Sequence, residues 1–181
     1  MTPGITLKEV GLSQDFRDGL KDYYSAIHID GLYPDHRWRQ WTEDKGIIAY
    51  TAQRDENTIG WLVYNPLHST IEEILPKETG GKGFIATAMI DALIARESLV
   101  AAEVLKADKA KIETLIAYGF RPTRSFCLGG FDFVKLDLST AEFLRKVRGW
   151  RPSEAYGKTE LVAVEKVPPA GTHDEIKSSL L

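Results

Sequence analysis

Ile71-Glu72-Glu73-Ile74-Leu75-Pro76-Lys77-Glu78-Thr79-Gly80-Gly81-Lys82-Gly83-Phe84-Ile85-Ala86 is the stretch that decides how this 181-residue chain is read. Its first part is rich in β-formers and its last part opens a helix, whose apolar positions Ile85, Ala88, Met89, Ala92 and Leu93 recur at three and four as far as Arg96. A strand that passes through a glycine-rich loop into a helix points unpaired backbone N–H groups and the positive end of the helix dipole at one spot. That is an anion site, typically for phosphate. Glycine lets the backbone come close, and Lys82 adds charge. Gly83 stands where a Walker loop requires Ser or Thr, which excludes that motif. Gly81-x-Gly83-x-x-Ala86 does satisfy the dinucleotide fingerprint, with Glu103 as the acidic residue about 20 positions on. That fingerprint normally starts at the strand end, whereas here four residues separate Leu75 from Gly80 and an antiparallel hairpin comes before.

Upstream, Ile5 to Val10 reads as a short strand and Ser13 as an N-cap, followed by Phe16, Leu20, Tyr23, Tyr24 and Ile27 at helical spacing. Gly31 and Pro34 are expected to end this helix, and Asp35 to Trp41 to form a short second one with Trp38 and Trp41 on one side. Ile47–Thr51 and Thr58–Tyr64 read as a hairpin turning at Asp55-Glu56-Asn57, and Thr70–Leu75 as a third strand of this run. Downstream, Leu99–Leu105 is a strand parallel to the one before it, because a helix joins them. Asp108 caps a helix with Ile112, Leu115 and Ile116 on its apolar face and Gly119 at its end, and Thr123–Leu128 and Phe131–Leu138 follow as strands split by Gly129-Gly130. Ser139–Gly149 reads as a helix, Glu160–Val167 as a strand and Pro168–Leu181 as a polar tail.

Composition limits the classes open to the chain. Hydrophobic residues make up 43% and charged residues 27%, a globular balance. Twenty-three basic against 26 acidic residues leave −3, so no global field draws in nucleic acid or anionic lipid, and neither is expected as a partner. One cysteine, Cys127, rules out an internal disulfide, and the four histidines lack metal-ligand spacing, so no metal is expected. Cys127 is expected to be a buried strand thiol. Met1–Val10 holds no apolar run of signal-peptide type, and the expectation is a soluble cytoplasmic protein.

The element order resembles the GCN5-related N-acetyltransferase (GNAT) family. Its signature, Arg or Gln, two residues, Gly, one residue, Gly or Ala, lies between the fourth strand and third helix, and a later helix ends in Gly-Phe, here Ala117-Tyr118-Gly119-Phe120. The likeness spans Ile5 to Leu138. It implies an α/β fold, a mixed and mostly antiparallel sheet of about six to seven strands flanked by helices and splayed between the fourth and fifth strands. It divides the chain into a domain over 1–138 and an extension over 139–181, which either pairs with a second copy as a homodimer or folds back. Three positions depart from the family: Gly80 replaces Arg or Gln, Asp108 replaces a cofactor-contacting Asn, and Leu115 replaces the Tyr that protonates the leaving thiolate.

The resemblance implies an acetyl-CoA or other acyl-CoA co-substrate and transfer to a primary amine of a small molecule or a protein. Backbone groups of Ile74 and Leu75 would pair with pantetheine, and Gly81, Lys82, Gly83 and Phe84 would give N–H donors to pyrophosphate. Gly80 would contribute backbone, Ile85 is one reading of the small motif residue, and Asp108 takes the place of the Asn. A lysine-like amine, with a pKa of about 10.4, needs a base, and Glu72 and Glu73 are the candidates. Strand alternation lets one of them face the cleft, with Glu73 favoured. Tyr118 substitutes for the missing Tyr if the helix end turns it inward. Tyr33, Arg37, Trp38 and Trp41 are candidates to clamp the acceptor, or else a core stripe. Two alternatives remain open: an acyl-CoA sensor or interaction module on the same fold, and a dinucleotide-binding oxidoreductase.

Overall fold

The computed structural model describes residues 4–77 and 82–148. Seven strands form one sheet: β1 (Thr6–Glu9), β2 (Ile48–Arg54), β3 (Asn57–Asn65), β4 (Thr70–Pro76), β5 (Ala101–Leu105), β6 (Arg121–Leu128) and β7 (Phe131–Asp137), in the spatial order β1-β2-β3-β4-β5-β7-β6. Every neighbouring pair is antiparallel except β4 with β5. The expected mixed, mostly antiparallel sheet is therefore present. It is not the parallel, doubly wound sheet that a dinucleotide reading requires.

Five helices flank it: α1 (Gln14–Ala26), α2 (Leu32–Glu43), α3 (Lys82–Ile94), α4 (Lys109–Tyr118) and α5 (Thr140–Arg148). Ser13 caps α1 by accepting from the Phe16 N–H, and Asp108 caps α4 by accepting from the Lys111 N–H. The hairpin turns follow backbone chemistry: Asp55 and Glu56 join β2 to β3 at φ 49° and 67°, and Gly129 and Gly130 join β6 to β7 at 60° and 83°. Pro34 does not terminate a helix. It lies in the first turn of α2, where its missing N–H would have had no helical partner.

Each sheet face carries its own apolar core. On one, Phe16, Leu20 and Tyr24 of α1 and Tyr33 and Trp41 of α2 pack on Trp61, Val63, Leu75, Leu105 and Phe133. On the other, Met89 and Leu93 of α3 and Leu115 of α4 pack on Leu62, Tyr64, Ile71, Ile74 and Val104. Phe143 of α5 adds to this second core, so the segment just after Leu138 lies on the α3 side. The expected strand over Glu160–Val167 and the polar tail fall outside the described residues. Cys127 is exposed, contrary to the buried thiol expected, because β6 is the sheet edge and nearly all its residues face solvent.

Candidate active site

The parallel pair β4 and β5 is joined only at its beginning. Thr70 pairs with Ala101 and Ile71 with Ala102, and beyond these positions the strands part. β4 is irregular just past this point. Val63 pairs with Glu73 but Tyr64 with Ile71, which leaves Glu72 as an extra residue, a β-bulge. The bulge overturns the alternation expected of β4. Both glutamates reach the face covered by α1 and α2, while Ile71 and Ile74 both lie in the opposite core.

Glu73 is buried at 3% exposure in the gap between β4 and β5. Tyr24 of α1 donates its O–H to Glu73 Oε2 at 2.8 Å, and Lys111 of α4 donates to Glu73 Oε1. The Ile74 N–H donates to that same oxygen at 3.0 Å, so this amide, expected to face pantetheine, is already engaged. Lys111 Nζ also donates to Tyr24 Oη at 3.1 Å and pairs with Asp108 Oδ2 at 3.3 Å, and Tyr23 donates its O–H to Asp108 at 2.9 Å. The ammonium lies 4.7 Å from the centroid of the Tyr23 ring and 5.1 Å from that of Tyr24. One buried network thus joins α1, β4 and α4.

Its electrostatics follow from burial and close charge. Burial alone would lower the Lys111 ammonium, but the Glu73 and Asp108 carboxylates outweigh it and hold the pKa well above the ordinary lysine value. Burial, reinforced by the Glu73 charge, pushes the Tyr24 phenol far up, and the same causes push Tyr33 to about 12. Lys111 is therefore a fixed cation and Tyr24 a fixed hydrogen-bond donor near neutral pH.

Glu72 has separate partners. Trp41 Nε1 donates to its Oε2 and Asn65 Nδ2 to its Oε1, both at 2.9 Å, while the Arg37 guanidinium donates to its backbone oxygen at 2.8 Å. Arg37 itself is 1% exposed, 5.0 Å from the ring centroids of both Trp41 and Phe133. Tyr33 and Trp41 are equally buried, and Trp38 meets Phe16 edge-on at 5.6 Å. Arg37 and Trp41 thus bond directly to Glu72, while Tyr33 and Trp38 belong to the aromatic core around them. Across the gap, burial and the neighbouring Glu72 charge raise the Glu103 carboxyl above the usual range.

Leu115 faces the cleft, lining a cavity of about 50 Å³ with Tyr23, Ile74, Pro76, Ala86, Ala110, Lys111 and Thr114. Tyr118 points elsewhere. Its hydroxyl donates to Asp91 of α3 at 2.7 Å and its ring lies under Lys146 of α5. α3 begins at Lys82, so the first-turn amides of Lys82, Gly83 and Phe84 have no partner within the helix, Ile85 is buried in the core, and Gly80 and Gly81 lie outside the described residues. The residue that sequence reasoning missed is Lys111. Its spacing to Leu115, one helical turn, was the available signal.

Neither a protein-family model nor a curated protein matches the chain. Solved structures do. An uncharacterized protein from Bacillus halodurans aligns with TM-score 0.55 at 14% identity, covering 81% of this chain and 89% of its own. A GNAT-family protein from Desulfovibrio desulfuricans aligns with TM-score 0.55 at 13% identity over 75% of this chain and 99% of its own. A spermidine N-acetyltransferase chimera from Vibrio cholerae and hSSAT gives 0.50 at 16%, over 78% and 98%. The chain has the fold of the GNAT acetyltransferases.

Proposed function

We propose that the chain is an acyl-CoA-dependent N-acyltransferase, carrying an acetyl or other acyl group to a primary amine of a small molecule or a protein. The observation that supports this reading is the parting of β4 and β5 after Ile71 and Ala102, with the buried Glu73 carboxylate between the separated strands. The pantetheine arm then lies beside Ile74 and Leu75 in the cavity walled by Ala86 and Leu115. Pyrophosphate meets the amides around Gly80 to Phe84, where the opening of α3 adds its dipole. Asp108, used as the α4 cap, serves the cofactor through the helix start it fixes.

The acceptor must lose a proton before its nitrogen can attack the thioester carbonyl. Glu73 takes it, directly or through water, with Glu72 as the second candidate and the walls from Tyr33, Arg37, Trp38 and Trp41 bounding the acceptor side. Tyr118 reaches a leaving thiolate only by releasing Asp91.

Two observations favour a second reading, an acyl-CoA sensor without turnover: Glu73 is already paired with the Lys111 cation, and Leu115 offers no proton. Thermal-shift titration separates the two. Acetyl-CoA at 100 times its Kd should add about 2.7 kcal/mol of stability, and NAD should add none. No shift with acetyl-CoA or CoA refutes the cofactor assignment, and a shift without product over an amine panel selects the sensor. If E72Q and E73Q each keep wild-type turnover, the base assignment fails.

A further inference from the structure

Transfer leaves behind a thiolate, and the position where the fold family carries a proton donor is here the hydrocarbon of Leu115. The tyrosines nearest the cavity direct their O–H groups into carboxylates, Tyr23 to Asp108 and Tyr24 to Glu73. Lys111 differs from them. It lies one helical turn before Leu115 and shares with it both the cavity beside Ile74 and the gap that holds Glu73. Its ammonium therefore touches the acceptor-side carboxylate while the residue itself lines the cofactor-side cavity.

The geometry points to Lys111 as the cation that receives the departing CoA thiolate, a catalytic role that rests on the acyl-CoA reading above. The amine nitrogen, neutral once Glu73 has taken its ammonium proton, forms a bond to the acyl carbon, and the proton it then sheds passes to solvent. The carbonyl oxygen becomes an alkoxide, then collapses to the amide carbonyl as the C–S bond breaks and its electron pair goes to sulfur. The thiolate leaves as an anion against the Lys111 ammonium, which gives up no proton, and is protonated by solvent after release. A proton donor at Leu115 is not required.

Two carboxylates and two aromatic faces keep this cation charged and fixed: Glu73 on β4, Asp108 on α4, and the rings of Tyr23 and Tyr24 on α1. Its burial, at 7% exposure, removes the water that would otherwise screen it.

Bound CoA reports on the contact without any turnover, because a thiol beside a fixed cation ionises more easily. Free thiol, with a pKa of about 8.5, is about one-tenth thiolate at about pH 7.5. Thiolate absorbance of CoA bound to the wild-type protein, read against desulfo-CoA, should rise about fivefold. K111R should keep most of the increase and K111M should abolish it. With acetyl-CoA, K111M should lower kcat more than tenfold and leave KM nearly unchanged.

CoA that binds with its thiol still protonated overturns the role of Lys111 and leaves the acyl-CoA reading standing, as does an equal thiolate fraction in wild type and K111M. Absence of any CoA-induced thermal shift in the wild type overturns both. If K111M does not fold, the double variant K111M/E73Q, which also removes one of the two opposing charges, is compared with E73Q for its thiolate fraction.

Discussion

Replacing Tyr24 by Phe removes one oxygen from the network and leaves the ring packing intact, so the change deletes the hydrogen bond donated to Glu73 together with the one accepted from Lys111. Tyr24 is 1% exposed and Glu73 3%, so bulk water does not reach the oxygen that loses the donated O–H. A hydrogen bond to a charged group is worth about 1.5–3 kcal/mol, and the carboxylate oxygen left short of a donor puts the expected loss at about 2 kcal/mol. For a chain of this size that is a fall in Tm of about 4–8 °C. E73Q removes the carboxylate that balances Lys111 and should cost about 3 kcal/mol, the low end for a broken buried pair because Asp108 stays 3.3 Å from the ammonium. The two changes share a bond, so in Y24F/E73Q the losses should fall short of their sum by about 1–2 kcal/mol. Urea unfolding of the four proteins at neutral pH, with slopes compared, measures this. A Y24F loss below about 0.5 kcal/mol, or strict additivity, would refute the network as described.

Other outcomes follow from single observations. Because burial and Glu72 raise the Glu103 carboxyl, the unfolded chain loses that proton first, and its contribution weakens stability as pH climbs from 4.5 upward; E103Q should raise Tm at pH 7 but not at pH 3.5. Gly129 has φ +60°, and a Cβ there would lie 2.1 Å from the His36 imidazole, so G129A should cost at least about 1–2 kcal/mol by denaturant unfolding. D108N keeps an oxygen for capping α4 but loses the charge beside Lys111, so it should unfold at lower urea than wild type yet above D108A. Cys127 should react with a thiol reagent in the native protein nearly as fast as in urea; strong native protection would contradict its exposed edge position.

The order of strands and helices was legible before any coordinates, because it rests on local chemistry. Ser13, Asp108 and Gly119 announce helix ends through capping, while Asp55-Glu56-Asn57 announces one hairpin as a polar turn and Gly129-Gly130 another through the tolerance of glycine for positive φ. Glu72 and Glu73 became candidate bases through the family resemblance, as carboxylates on the strand ahead of the glycine loop. Pro34 misled, since a proline signals a break both after a helix and in the first turn of the next one.

What lay beyond the sequence was set by pairing between distant segments. Whether Glu72 alternates with Glu73 depends on the register of β4 against β3, and a single extra residue there puts both carboxylates on one face. Lys111 reads as a surface lysine until α1 brings Tyr23 and Tyr24, and β4 brings Glu73, around its ammonium. Cys127 is exposed because β6 happens to be last in the sheet, a matter of strand order that composition does not encode. The chain by itself determined its elements over the described residues, since those depend on neighbours a few residues apart. Only the tertiary structure decided the bulge, the buried cation and the open gap between β4 and β5, because each depends on groups brought together from elements far apart in the chain.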